Sequence, residues 1–245
     1  MNSTTHGAEP SAGQSRGPNL WARLVASRYG HVCIFLVGWL AVHQLVRWVL
    51  LVHAWPGLNH RFLNLLGTLV CGLVYDLAAG IFMAIPLALY GLAAPRIWLR
   101  SRWHKFFAWA AAAVIVFILL FTGAAEWFFW EEFESRFNFI AVDYLIYTRE
   151  VVGNIRESYP MPLILTGMAA VTAAVCWAVH KTGWMRTWLA GAATGRARWS
   201  PVALILGLAV LSFFALSNES VPCWGNARNQ ELARNGPYAF FAEIG

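Results

Sequence analysis

The sequence predicts an all-α membrane protein with five transmembrane helices and an extracytoplasmic interfacial amphipathic helix between the third and fourth. Hydrophobic residues make up 59% of the 245 residues and charged residues 12%, the mean hydropathy is +0.53, and five apolar runs recur along the chain. A water-soluble globule carries about 25% charged residues. The net charge of +6 does not point to nucleic acid, because a basic balance in a membrane chain is the Lys and Arg excess of cytoplasmic loops.

A disordered cytoplasmic tail is expected over residues 1–30, of which Met1–Pro18 is rich in Ser, Gly, Thr and Asn and lacks hydrophobic periodicity. A cleavable signal peptide is not expected, since the apolar run from His31 exceeds the roughly seven to fifteen residues of an h-region. The runs near residues 31–52, 66–92, 106–129, 162–180 and 201–217 approach or exceed the roughly 17–25 residues that cross hydrocarbon as a helix. Lipid satisfies no free backbone groups, so each must be helical, with Pro86 carried as a kink. Trp98, Trp103, Trp127, Trp130, Trp184 and Trp188 fall at the predicted boundaries and read as interface anchors.

Lys and Arg alternate between the spans. Arg16, Arg23 and Arg28 precede the first, Arg61 follows it, and Arg96, Arg100, Arg102 and Lys105 precede the third. Lys181, Arg186, Arg196 and Arg198 separate the fourth and fifth, and only Arg228 and Arg234 follow. The positive-inside rule then puts the N-terminus in the cytoplasm, and the acidic segment after the third span and the C-terminus outside.

That acidic segment, about residues 131–160, reads EEFESRFNFIAVDYLIYTREVVGNIRESYP. As one helix over Glu132–Glu157, it would align Glu132, Arg136, Asp143, Glu150, Asn154 and Glu157 in a polar stripe. Glu132 and Arg136 would pair at i,i+4, whereas Asp143 and Glu150 have no cation three or four residues away. Such a stripe faces a second domain or lipid headgroups, or is a solvated acidic face. Arg149 and Arg156, seven residues apart, share a face and suit the phosphate of an anionic lipid, or simply snorkel.

Three charged residues, one Arg and two acids, lie within spans. Asp76 and Glu126 are costly in hydrocarbon and require a partner, and Arg47 is positioned to pair with one of them or to snorkel. Cys33, Cys71 and Cys176 fall in apolar runs and Cys223 in the polar tail, with no disulfide or metal spacing. There is no zinc-like His/Cys cluster, Gly-rich phosphate loop or GxSxG elbow. No catalytic or metal-binding residue is therefore expected in this chain.

The words FNFIAVDYLIYT and GNIRESYP, followed distally by NQELARNGPYAFF, resemble the membrane domain of the lipoteichoic acid synthase and phosphoglycerol transferase family, of the sulfatase-like alkaline phosphatase superfamily. The resemblance spans roughly Tyr29 to Phe241. It implies an inner-membrane protein of bacteria whose residues 218–245 lead toward a large extracytoplasmic domain. That domain would carry a threonine nucleophile and a divalent metal, manganese, and move phosphoglycerol from phosphatidylglycerol to an acceptor. The chain stops before those residues, and Glu243, Ile244 and Gly245 depart from the family pattern, so a truncated, frameshifted or fragmentary product is expected. The implied partners are the phospholipid membrane, phosphatidylglycerol and the catalytic domain. The phosphoethanolamine transferases share the architecture, and a transporter or a scaffold without chemistry are readings from other classes.

Overall fold

The computed structural model describes residues 24–146, 148–194, 199–217, 221–222 and 224–244, and among them it is all-helical. Among the described residues four helices are long and apolar enough to cross a membrane: α1 (Gly30–His53), α2 (Phe62–Ala93), α3 (Arg102–Phe133) and, later in the chain, α6 (Met161–Thr182). Between α3 and α6 lie α4 (Phe139–Ile146) and α5 (Thr148–Ser158). After α6 come α7 (Trp184–Thr194), the apolar 16-residue α8 (Ser200–Ala215), α9 (Ala227–Ala233) and α10 (Gly236–Ile244). Each of the five apolar runs is helical, and α8 is shorter than the other four.

α2 is the centre of the bundle, packing on α1, α8 and α9. Its buried face is largely small, with Gly72, Ala78, Ala79, Gly80, Ala84, Ala88 and Gly91. Small residues let neighbouring backbones approach closely, which is how helices associate where lipid offers no hydrophobic drive. Tyr29, Val32, Ile81, Ala84, Ala88, Val202, Ile205 and Ala209 form one core between α1, α2 and α8. α2 continues through Pro86 without ending. α6, by contrast, packs on α3 and leaves most of its surface uncovered.

The end of the bundle where α1 begins is sealed by the segment just before it. The disordered tail expected over residues 1–30 is instead packed from Val25 onward, with Val25, Arg28 and Tyr29 buried; residues 1–23 lie outside the described residues. The Arg28 side chain donates to the carbonyls of Gly91 and Ala94, both at 2.5 Å, a cation on the terminal carbonyls of α2. Beside it, His104 is buried among Tyr90, Trp98 and Trp188. The tryptophans read as anchors divide accordingly: Trp103 is exposed, whereas Trp130 and Trp188 are buried in the protein.

At the opposite, distal end the single helix expected over Glu132–Glu157 is broken. Glu134 adopts left-handed backbone (φ 50°) and ends α3. Asn138 Oδ1 accepts the Ile140 amide at 2.9 Å and starts α4. The predicted Glu132–Arg136 pair does not form, because the turn swings Arg136 inward, to 1% exposure, while Glu132 stays outside. The six-residue stripe is thereby dismantled.

Within residues 218–245, expected to lead toward an extracytoplasmic domain, residues 224–244 pack against the helices of the bundle. α9 packs on α2 and α1, and α10 packs on α4 and α2. Asn226 caps α9 by accepting the Asn229 amide at 3.1 Å, and its own amide donates to the Gly57 carbonyl at 2.8 Å. Asn229 accepts the Asn59 amide at 2.8 Å. Tyr75 and Tyr238 meet edge to face and donate to the Ser217 and Leu216 carbonyls at 2.8 and 2.9 Å.

Candidate functional site

Charge gathers inside the distal half of the bundle. His43, Arg47, Asp76, Glu126 and Arg136 come from three different helices and the turn after α3, and none is more than 1% exposed. Burial of this depth is tolerated only where charges are paired and hydrogen-bonded.

The first pair is the more fully hydrogen-bonded of the two. Asp76, near the midpoint of α2, receives Arg47 Nη2 at 2.5 Å and Asn235 Nδ2 at 2.9 Å on Oδ1. Its Oδ2 receives Gln44 Nε2 at 2.7 Å. Arg47 also donates to the Gly72 carbonyl at 3.0 Å, to the Arg234 carbonyl at 3.1 Å and to the Leu232 carbonyl. One guanidinium thus joins a carboxylate on α2 to the last carbonyls of α9. Gly72 makes this possible, since a side chain there would overlap the Arg47 guanidinium. Trp39 completes the wall, its Nε1 donating to the Asp76 carbonyl at 2.8 Å.

The second pair joins Glu126 on α3 to Arg136, through Oε2. Burial, with the Arg47 charge adding to it, pulls the Arg136 guanidinium down to about 9 against the opposing effect of Asp76 and Glu231. It therefore remains charged at neutral pH. The Arg136 amide donates to Glu231 Oε2 at 3.3 Å, and Glu231 Oε1 accepts Arg234 Nη1 at 2.8 Å. Gly236 lies against the Glu126 carboxyl, where an added Cβ would sit 2.7 Å from its carbon. Both pairs therefore border the segment from Leu232 to Gly236.

Of the residues singled out from sequence, Arg47, Asp76 and Glu126 are brought together. Asp143, Arg149, Asn154, Arg156 and Glu157 are exposed on α4 and α5, and the side chain of Glu150 lies outside the described residues. Sequence reasoning missed Arg136 as the partner of Glu126, and it missed His43, Gln44 and Asn235. A buried acid lacking a cation on its own helix was the signal available for Arg136. For Asn235 the signal was the NGP word, a helix break that could turn the chain back.

Cys33, Cys71 and Cys176 are free thiols, and Cys223 is outside the described residues. Among the described residues no three His, Cys, Asp or Glu side chains converge to hold a metal ion. Comparison with protein-family models, curated proteins and solved structures finds no match. The arrangement as built is ionic fastening: it holds the C-terminal segment against the membrane helices.

Proposed function

We propose that this chain is the membrane domain of a phosphoglycerol transferase-like enzyme of the lipoteichoic acid synthase family, seating an extracytoplasmic catalytic unit on the bilayer and presenting phosphatidylglycerol to it. In this reading α8 is the fifth span, the N-terminus is cytoplasmic and the distal end faces outward from the bacterial inner membrane. Manganese and the nucleophile belong to the catalytic unit, and no bond-making step falls to this chain. The sulfatase-like chemistry stays with the partner.

The observation that supports this reading is the fastening of Leu232–Gly236 by Arg47, Asp76 and Asn235. A catalytic unit joined at that point inherits a fixed orientation to the bilayer, and positioning of this kind is what a lipid-using active site requires. Exposed Arg149 and Arg156 on α5 suit the phosphate of a headgroup.

The test is co-expression with the catalytic domain of a lipoteichoic acid synthase relative, followed by transfer of labelled glycerol phosphate from phosphatidylglycerol in membranes. Transfer should require both pieces and fall on Arg149→Ala plus Arg156→Ala. Transfer that is equal with and without this chain would refute the proposal. Activity only with labelled phosphatidylethanolamine would move the chain to the phosphoethanolamine transferases.

A further inference from the structure

The buried contact between His43 and Glu126 is short of a proton. His43 Nδ1 lies 2.9 Å from the Trp39 carbonyl. A carbonyl only accepts, so Nδ1 carries the hydrogen, and in the neutral ring Nε2 presents a lone pair. That lone pair faces Glu126 Oε1 at 3.6 Å, while Arg136 holds the other oxygen, Oε2. An ionised carboxylate oxygen is an acceptor as well. Two acceptors therefore confront each other where neither residue exceeds 1% exposure, and among the described residues neither atom has a hydrogen-bond partner.

We propose that His43 and Glu126 form a proton-binding site inside the bundle. One proton taken from water resides on Nε2 or on Oε1 and turns the opposed lone pairs into a charge-assisted hydrogen bond. Its return to water restores two facing acceptors. No other atom is exchanged.

The surrounding charges leave the site responsive to a proton. On α1, Arg47 is committed to Asp76 of α2. From the turn after α3, Arg136 is committed to Glu126. On the C-terminal segment, Glu231 and Arg234 pair with each other. Guanidinium charges are thus matched by carboxylates, and the proton shared by His43 and Glu126 is the charge left to vary. The ring is stacked on Trp39 at 4.0 Å between centroids, so closure of the gap falls to the Glu126 side chain. Gly236 rests on that carboxyl, which carries the movement to the C-terminal segment.

The chain in lipid nanodiscs, labelled with nitrogen-15 at histidine, provides the test. Ring-nitrogen resonances are followed across the pH range in which the chain stays folded, alongside infrared difference spectra of its carboxyl groups. The expected result is one ring, absent from His43→Gln, passing from the neutral Nδ1–H form to the doubly protonated form as pH falls. A protonated-carboxyl band, absent from Glu126→Gln, that appears over the same range would equally support the site. Where the ring titrates, Glu126→Gln should lower its proton affinity by roughly tenfold, one pK unit. A ring that remains neutral beside a carboxylate that remains ionised would overturn the proposal and assign the gap to a bridging water. A midpoint unchanged in Glu126→Gln would overturn it too. If either Gln variant fails to fold, His43→Asn and Glu126→Asp assign the same two signals.

Discussion

The charged residues of the bundle and those of α5 are treated by the fold in opposite ways. Arg47, Asp76, Glu126 and Arg136 are sealed from solvent and paired, whereas Arg149, Asn154, Arg156 and Glu157 stand on an exposed helix that packs mainly on α4. A dense run of charge in sequence is therefore a poor guide to where polar architecture lies. Isolated ionisable residues in apolar runs are the better guide, because hydrocarbon offers them no alternative to a partner.

The contrast can be broken most forcefully at the ion pairs. Arg47→Met strands Asp76, and Arg136→Met strands Glu126; each should cost about 3–5 kcal/mol, the usual penalty for an uncompensated buried charge. Thermal unfolding in detergent micelles measures it. Arg47→Met combined with Asp76→Leu should recover much of the loss, since replacing both partners by apolar groups removes the stranded charge.

Next comes the close approach at Gly236, where Gly236→Ala should cost about 1–3 kcal/mol by overpacking against the Glu126 carboxyl. Asn226→Ala removes the α9 cap and the bond to Gly57, for about 0.5–2 kcal/mol; faster proteolysis within residues 224–235 would report it. Arg149→Ala and Arg156→Ala should leave unfolding within about 0.5 kcal/mol of the parent. A large destabilisation from either would erase the distinction between the two regions.

The long apolar helices were legible because an apolar run in lipid must satisfy its own backbone groups: 31–52 and 106–129 lie inside Gly30–His53 and Arg102–Phe133. The break after α3 was not. Glu134 takes its left-handed backbone with no glycine or proline to announce it, driven by the inward turn of Arg136 toward Glu126. The partner of Arg47 was legible only as a choice between two acids, since pairing across helices depends on how each is rotated about its axis. The return of residues 224–244 to the bundle rests on hydrogen bonds that Asn226 and Asn235 donate and Asn229 accepts, polar residues that in sequence read equally well as a solvated connector.

The C-terminal segment is held as firmly as the helices it touches. Amide hydrogen exchange in nanodiscs, comparing residues 227–239 with 148–158, tests this most directly. Exchange across 227–239 should be slow like that of the α2 core and should accelerate selectively in Arg47→Met, while 148–158 exchanges faster in both forms. Exchange over 227–239 as fast as over 148–158 in the parent chain, and insensitive to Arg47→Met, would contradict it.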